Sequence, residues 1–189
     1  MTTAKRLRYS YDEYLRMLAD SDLKLEYGDG VIYAMAGGTP AHAALGLACG
    51  AVLRQALLGR CQVFSSDLRI RIEASDLSTF PDISVVCGKL ERSPIDEQAL
   101  TNPSILVEVT SRSTEDYDRG DKLSHYKQLP SLQAVLFVSH RERRVTIVRR
   151  TPAGWDEAER RGGERVTLPE HSLDFALDDL YAGIELDPK

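Results

Sequence analysis

A chain of 189 residues with 42% hydrophobic side chains has enough apolar material for one well-packed domain and too little length for two. Its net charge of −5 argues against a general nucleic-acid coat protein, and no apolar run approaches the ~20 residues that cross a bilayer. The three cysteines, Cys49, Cys61 and Cys87, have no C-x-x-C spacing, and His42, His125, His140 and His171 have no metal-ligand spacing. Neither a disulfide framework nor a zinc knuckle is indicated. The basic residues near Met1 lead into no apolar segment, so no signal peptide is expected and the protein is expected to be cytoplasmic.

Ser10 followed three residues later by Glu13 is the pattern of a capping box. Tyr11, Tyr14, Leu15 and Leu18 fall on one face of the helix it opens, and Ser21-Asp22 closes it. Residues 23–27 alternate, with Lys24 and Glu26 opposite Leu23, Leu25 and Tyr27. Gly28-Asp29-Gly30 then makes a tight turn into a returning strand over 31–36. The turn matches no phosphate loop. Thr39 as N-cap and Pro40 at the first position predict a helix to about Leu58, ended by Gly59. Its small residues, among them Ala43, Gly46 and Gly50, permit close packing on a sheet.

Residues 61–73 read as a strand with Leu68, Ile70 and Ile72 inward and Arg69, Arg71 and Glu73 outward. Residues 74–80 read as a polar turn, 83–87 as a strand opened by Pro81-Asp82, and 91–102 as a connection with a short helical turn at most. Residues 104–110 have the apolar and β-branched character of a buried strand, interrupted by Glu108. A loop at Ser111-Arg112-Ser113-Thr114 leads to a helix over 117–129, with Lys122 and Tyr126 one turn apart and Pro130 at its end. A nearly continuous apolar run over 133–138 predicts a central strand. An edge-type strand over 145–148, a charged hairpin about Gly162-Gly163 and a short helix over 177–182 complete the chain. The order predicts an α/β (α+β mixed) fold: one domain over 1–189, a mixed β-sheet flanked by helices, with an N-terminal hairpin and C-terminal β-strands.

Burying Glu108 in a strand costs several kcal/mol unless a cation or several donors meet it. Asp82, at the head of another apolar run, raises the same question. If the two strands are neighbours the acids converge, and with no Lys or Arg on either strand a divalent cation is the natural partner. Magnesium needs only one or two protein carboxylates. Hydrolysis of a phosphodiester also calls for a cation where charge develops; Lys122 offers one, and Glu26 is a third acid. Taken singly, each has an ordinary explanation: a turn aspartate, a solvated strand acid, a lysine paired with Asp118 one turn earlier. His42 is either a capping residue or a support to a site.

Pro81-Asp82, then Val107-Glu108-Val109, then the run from Ser111 to Lys122 resembles the Uma-two family of restriction-endonuclease-like proteins, in the PD-(D/E)xK nuclease-like superfamily. The likeness extends to Glu26-Tyr27-Gly28-Asp29-Gly30, Pro40-x-His42, Ser65-Ser66-Asp67-Leu68-Arg69 and Leu180-Tyr181-Ala182-Gly183. It implies a restriction-endonuclease-like core with Asp82 and Glu108, assisted by Glu26, holding Mg2+ or Mn2+, and a DNA substrate cut by phosphodiester hydrolysis. The superfamily places a lysine two residues after the strand acid, where this chain has Thr110; Lys122, in the following helix, takes that role in the resemblance. That departure keeps open an alternative, a nuclease-fold protein that binds DNA or a protein partner without cutting. Arg69, Arg71, Arg112 and Arg119 are candidate phosphate contacts or simply a solvated charged face. A homodimer is expected if both strands of a duplex are cut.

Overall fold

In a computed structural model of the chain, residues 7–35, 37–110 and 117–188 are described. Ala36 of the expected hairpin, the loop at 111–114 and with it Arg112 lie outside them. Helix α1 (Tyr11–Ala19) starts on the capping box, with Ser10 and Glu13 satisfying each other's backbone N–H. Strands β1 (Leu25–Gly28) and β2 (Val31–Ala34) form the hairpin, its turn carried by Asp29 and Gly30 at φ 45° and 81°. Helix α2 (Pro40–Ala56) is capped by Thr39, whose side chain accepts from His42 N.

The expected single strand over 61–73 is two strands in different sheets: β3 (Cys61–Ser65), a turn in which Leu68 N donates to Ser65 O, then β4 (Arg69–Ile72). The residues read as a polar turn include a buried strand, β5 (Leu77–Thr79), followed by β6 (Ile83–Cys87). The connection read as at most helical is a hairpin, β7 (Arg92–Ser93) with β8 (Asp96–Leu100). Next come β9 (Ile105–Thr110), a stretch of π-helical winding at Asp118–Lys122, and α3 (Leu123–Tyr126), shorter than expected. Strands β10 (Ala134–Ser139), β11 (Arg144–Thr151), β12 (Gly154–Arg161), β13 (Arg165–Leu168) and β14 (Leu173–Ala176) precede the closing helix α4 (Leu177–Tyr181).

Two six-stranded mixed sheets result, where the sequence suggested one. Their orders are β2-β1-β5-β4-β8-β7 and β12-β11-β10-β9-β6-β3, with a separate β13-β14 ribbon. β11 is therefore interior, between β10 and β12, and no hairpin forms about Gly162-Gly163 because β13 pairs with β14. In the second sheet Ile83, Val85, Ile105, Val107 and Val109 pack under α2, α4 and the ribbon, while Val86 and Leu106 face the other side with Tyr126, Leu129 and residues of the first sheet. That alternation puts Asp82 and Glu108 on the same face as Val86 and Leu106. Alpha2 lies close on this sheet because it presents Gly50: a Cβ there would come within 3.1 Å of Ile83 Cδ1.

Arg69 and Arg71 do not face solvent; both are buried. Arg69 makes a two-pronged pair with Asp96 at 2.7 and 2.8 Å, and Arg71 pairs with Asp76 and stacks over the Tyr11 ring. Cys61 and Cys87, register partners across β3 and β6, form a disulfide, while Cys49 is buried and free. The cysteine spacing gave no sign of this pairing, since strand register creates it. Among the described residues no helix is long and apolar enough to cross a membrane.

Candidate active site

Antiparallel register between β6 and β9 pairs Ile83 with Val107, which sets Asp82 opposite Glu108 one step further along. Asp82 continues the ladder with its side chain, Oδ2 accepting from Val109 N at 2.7 Å. Glu26 comes from the other sheet. β1 pairs with β5, and Glu26 Oε1 accepts from Thr79 Oγ1 and from Phe80 N, the latter at 3.1 Å. Lys122 approaches over the sheet face from the π-helical turn, where the wider winding carries Asp118, Lys122 and then Tyr126 along one side.

Lys122 Nζ lies 3.0 Å from Glu108 Oε1, 3.5 Å from Glu26 Oε1 and 3.9 Å from Asp118 Oδ1. Tyr126 donates to Glu108 Oε1 at 2.5 Å. His42, at the start of α2, places Nε2 3.4 Å from Asp82 Oδ2. Gly38 permits this: a Cβ there would fall 2.6 Å from His42 Nδ1. Glu26, Asp82, Glu108, Asp118, Lys122 and His42 line a cleft of 420 Å³ together with Tyr117, Thr39 and His140.

The structure thus brings all four acid and lysine candidates to one cleft. Arg69 and Arg71 are committed elsewhere, and Arg119 pairs with Glu157 at 2.6 Å. Sequence reasoning assigned Asp118 and Tyr117 no part in the cleft, nor Tyr126 its hydrogen bond to Glu108. The available signal was the four-residue spacing of Asp118, Lys122 and Tyr126, which stacks them on one helical side.

Four carboxyl groups face one lysine and two histidines in this cleft. Burial pushes the Glu108 carboxyl up to about 8; Asp82 and Asp118 add to the rise, and Lys122 and Tyr126 oppose it. Burial alone would lower Lys122, but Glu108, Glu26 and Asp118 hold its ammonium well above the usual range. The hydrogen bond to Asp82 raises His42, against its burial. The cleft therefore has excess negative charge available once Glu108 ionises.

Among the described residues no group of three or more His, Cys, Asp and Glu side chains is arranged to hold a metal. Two carboxylates remain suitable. Asp82 meets its protein donors through Oδ2 and Glu108 through Oε1, so Oδ1 and Oε2 have no protein hydrogen bond among the described residues. Two monodentate oxygens completed by water fit magnesium, a hard cation that keeps much of its hydration shell.

The profile of the family described as "Uma2: Putative restriction endonuclease" matches residues 11–179. The uncharacterized protein slr1290 of Synechocystis sp. (strain ATCC 27184 / PCC 6803 / Kazusa) is 35% identical over 94% of this chain and 93% of its own length. The uncharacterized protein sll1609 of the same organism is 30% identical over 67% of this chain and 72% of its own. A crystal structure described as that of "a putative nuclease belonging to DUF820 from Anabaena variabilis ATCC 29413" superposes with a TM-score of 0.74 at 21% identity, covering 92% of this chain and 98% of that one.

Proposed function

The chain belongs to the Uma2 family, and from that premise we propose that it is a metal-dependent DNA endonuclease, one catalytic domain over residues 1–189. The observation that carries the reading is the meeting of Asp82, Glu108 and Lys122 in one cleft from three separate elements. Asp82 and Glu108, assisted by Glu26, would hold Mg2+ or Mn2+. Bound there, such an ion would withdraw charge from a phosphate and make an attacking water more acidic.

The remaining steps belong to the chain. Lys122, kept charged by its acidic neighbours, stabilises the negative charge that develops on the phosphate and orients the water. Glu26, held by Thr79 and Phe80, is a second acid on the ammonium, 3.5 Å from Nζ, and assists the hydration shell around the ligands. Tyr126 holds the Glu108 carboxyl so that its second oxygen stays turned to the cleft. A homodimer belongs to this reading where the substrate is a duplex cut on both strands.

Asp82→Ala and Glu108→Ala are each expected to abolish metal-dependent cleavage of plasmid and oligonucleotide DNA while the circular dichroism spectrum is kept. Manganese titration by calorimetry gives the independent readout. Wild-type protein that cleaves no DNA and binds no manganese overturns the proposal, and manganese binding without turnover supports the non-cutting alternative.

A further inference from the structure

A second, larger hollow opens directly from the acid cleft. It has a volume of 820 Å³ and shares Met35, Gly37, Gly38, His42 and Asp82 with it. It runs along the outer side of α2 past Gly46 and Leu47 to Arg54, with Phe64 and Ser65 of the edge strand β3 forming the other wall. The lining is mainly apolar, and Leu47 is 77% exposed. Gly46 keeps the middle of the groove open, since nothing lies within 4 Å of where its Cβ would be.

A paired duplex offers little to such a wall. Its outward surface is phosphate, sugar and polar base edge, and binding it electrostatically takes several Lys or Arg contacts. The cations around this site are already engaged: Arg69 by Asp96, Arg71 by Asp76, Arg119 by Glu157, and Lys24 by Asp67 and Ser66. Arg54, at the far end of the groove, makes no ion pair among the described residues. An apolar trough that starts at Asp82 and ends at one open guanidinium matches a strand with bare base faces and a phosphate further along.

We propose that this groove binds unpaired nucleotides of the DNA strand next to the cleaved phosphate, so that the substrate is single-stranded or locally melted DNA. The proposal rests on the nuclease reading of the acid cleft and adds the class of substrate. One base face stacks on the Phe64 ring, an interaction whose loss weakens binding about tenfold or more, and its neighbours pack against the aliphatic wall. Arg54 contacts a phosphate beyond them.

Gly46→Leu fills the groove without touching the acid cleft, which Gly46 does not line. Gly46→Ala, a smaller change at the same helical position, is the control. Binding of a labelled oligothymidylate and of a fully paired hairpin of equal length is measured with calcium replacing magnesium, and the solution mass is followed in parallel. Wild-type protein and Gly46→Ala are expected to bind the single strand about tenfold tighter than the hairpin, and Gly46→Leu to lose that preference. Equal or tighter binding of the hairpin by wild type overturns the proposal, as does unchanged single-strand binding by Gly46→Leu. So does a drop from dimer to monomer in Gly46→Leu with single-strand binding intact, which makes the groove a contact between copies. The two readings separate: a Gly46-sensitive single-strand binder that never cuts keeps the groove and loses the nuclease, whereas Gly46→Leu that still cuts like wild type keeps the nuclease and loses the groove.

Discussion

Lys122 reaches Glu108 from a different element: its Nζ stands 3.0 Å from Glu108 Oε1, while Thr110, two residues beyond Glu108 on the same strand face, carries only a hydroxyl that points to Val138 O. The ammonium is thus delivered to the acid by the helix that crosses the sheet. Its place is kept by Glu26 and Asp118 on its other sides.

Lys122→Met keeps most of the side-chain volume and removes the charge. Glu108 and Glu26 then lose their buried cation, so the variant is expected to be less stable by about 3–5 kcal/mol, in the range for breaking a buried pair. Denaturant unfolding checks this. Cleavage should fall by about 10²-fold or more even at temperatures where the variant is fully folded.

On the metal-dependent reading proposed above, Glu108 would tie metal binding to proton release. With its carboxyl raised to about 8, the metal-free protein holds a proton there at pH 7 that a bound cation must displace. Manganese titrations in buffers of different ionisation enthalpy should show release approaching one proton per ion at pH 7, falling as the pH passes 8. Glu108→Gln should show no such release.

The same shift sets a stability trend. The unfolded carboxyl ionises near its usual 4.5 and the folded one near 8, so between these values the folded state binds more protons. Wild type should therefore lose stability relative to Glu108→Gln as pH rises from about 4.5, levelling off above about 8. Melting temperatures of the two metal-free proteins across that window test the sign.

Tyr126→Phe removes the hydroxyl that donates to Glu108 Oε1 and little else, because the ring is fully buried. A loss of about 1 kcal/mol is expected from the one lost hydrogen bond, since Lys122 still meets Oε1 at 3.0 Å. Manganese affinity should fall as well, because the carboxyl is then free to turn.

Arg69→Ala separates structural from functional arginines. Its guanidinium is bound at both ends of Asp96 and is buried, so the expected cost is about 3–5 kcal/mol of stability. Where the variant is folded, DNA affinity and its salt dependence should match wild type. A reduced salt slope would show Arg69 to be a phosphate contact.

What could be read from the residues was what local chemistry announces. Ser10 with Glu13 and Thr39 with the N–H of His42 satisfy the starts of their own helices, and Asp29-Gly30 supplies the positive φ of its turn, so these elements form as the sequence predicts. Glu108 stood out because it interrupts an apolar run, and Asp82 because it heads one. The first sheet was hidden because its partners are distant in sequence. The alternation around Ile70 gives one wet face until Asp96 arrives to neutralise Arg69, and nothing near Arg69 signals that Asp96 is coming. The disulfide was hidden for the same reason.

The four charged groups of the cleft do not share a scaffold. Glu26 stands on one sheet, Asp82 and Glu108 on the other, and Lys122 on the crossover between two strands of the second. The cluster is therefore also a clasp between the two halves of the molecule. Loosening it should let the Leu25–Ala34 hairpin breathe, and amide exchange in β1 and β2 should quicken in Lys122→Met before the Ile105–Thr110 strand is affected. The groups that would cut a substrate are the same ones that keep the protein shut, so reactivity and cohesion here would have to be altered together.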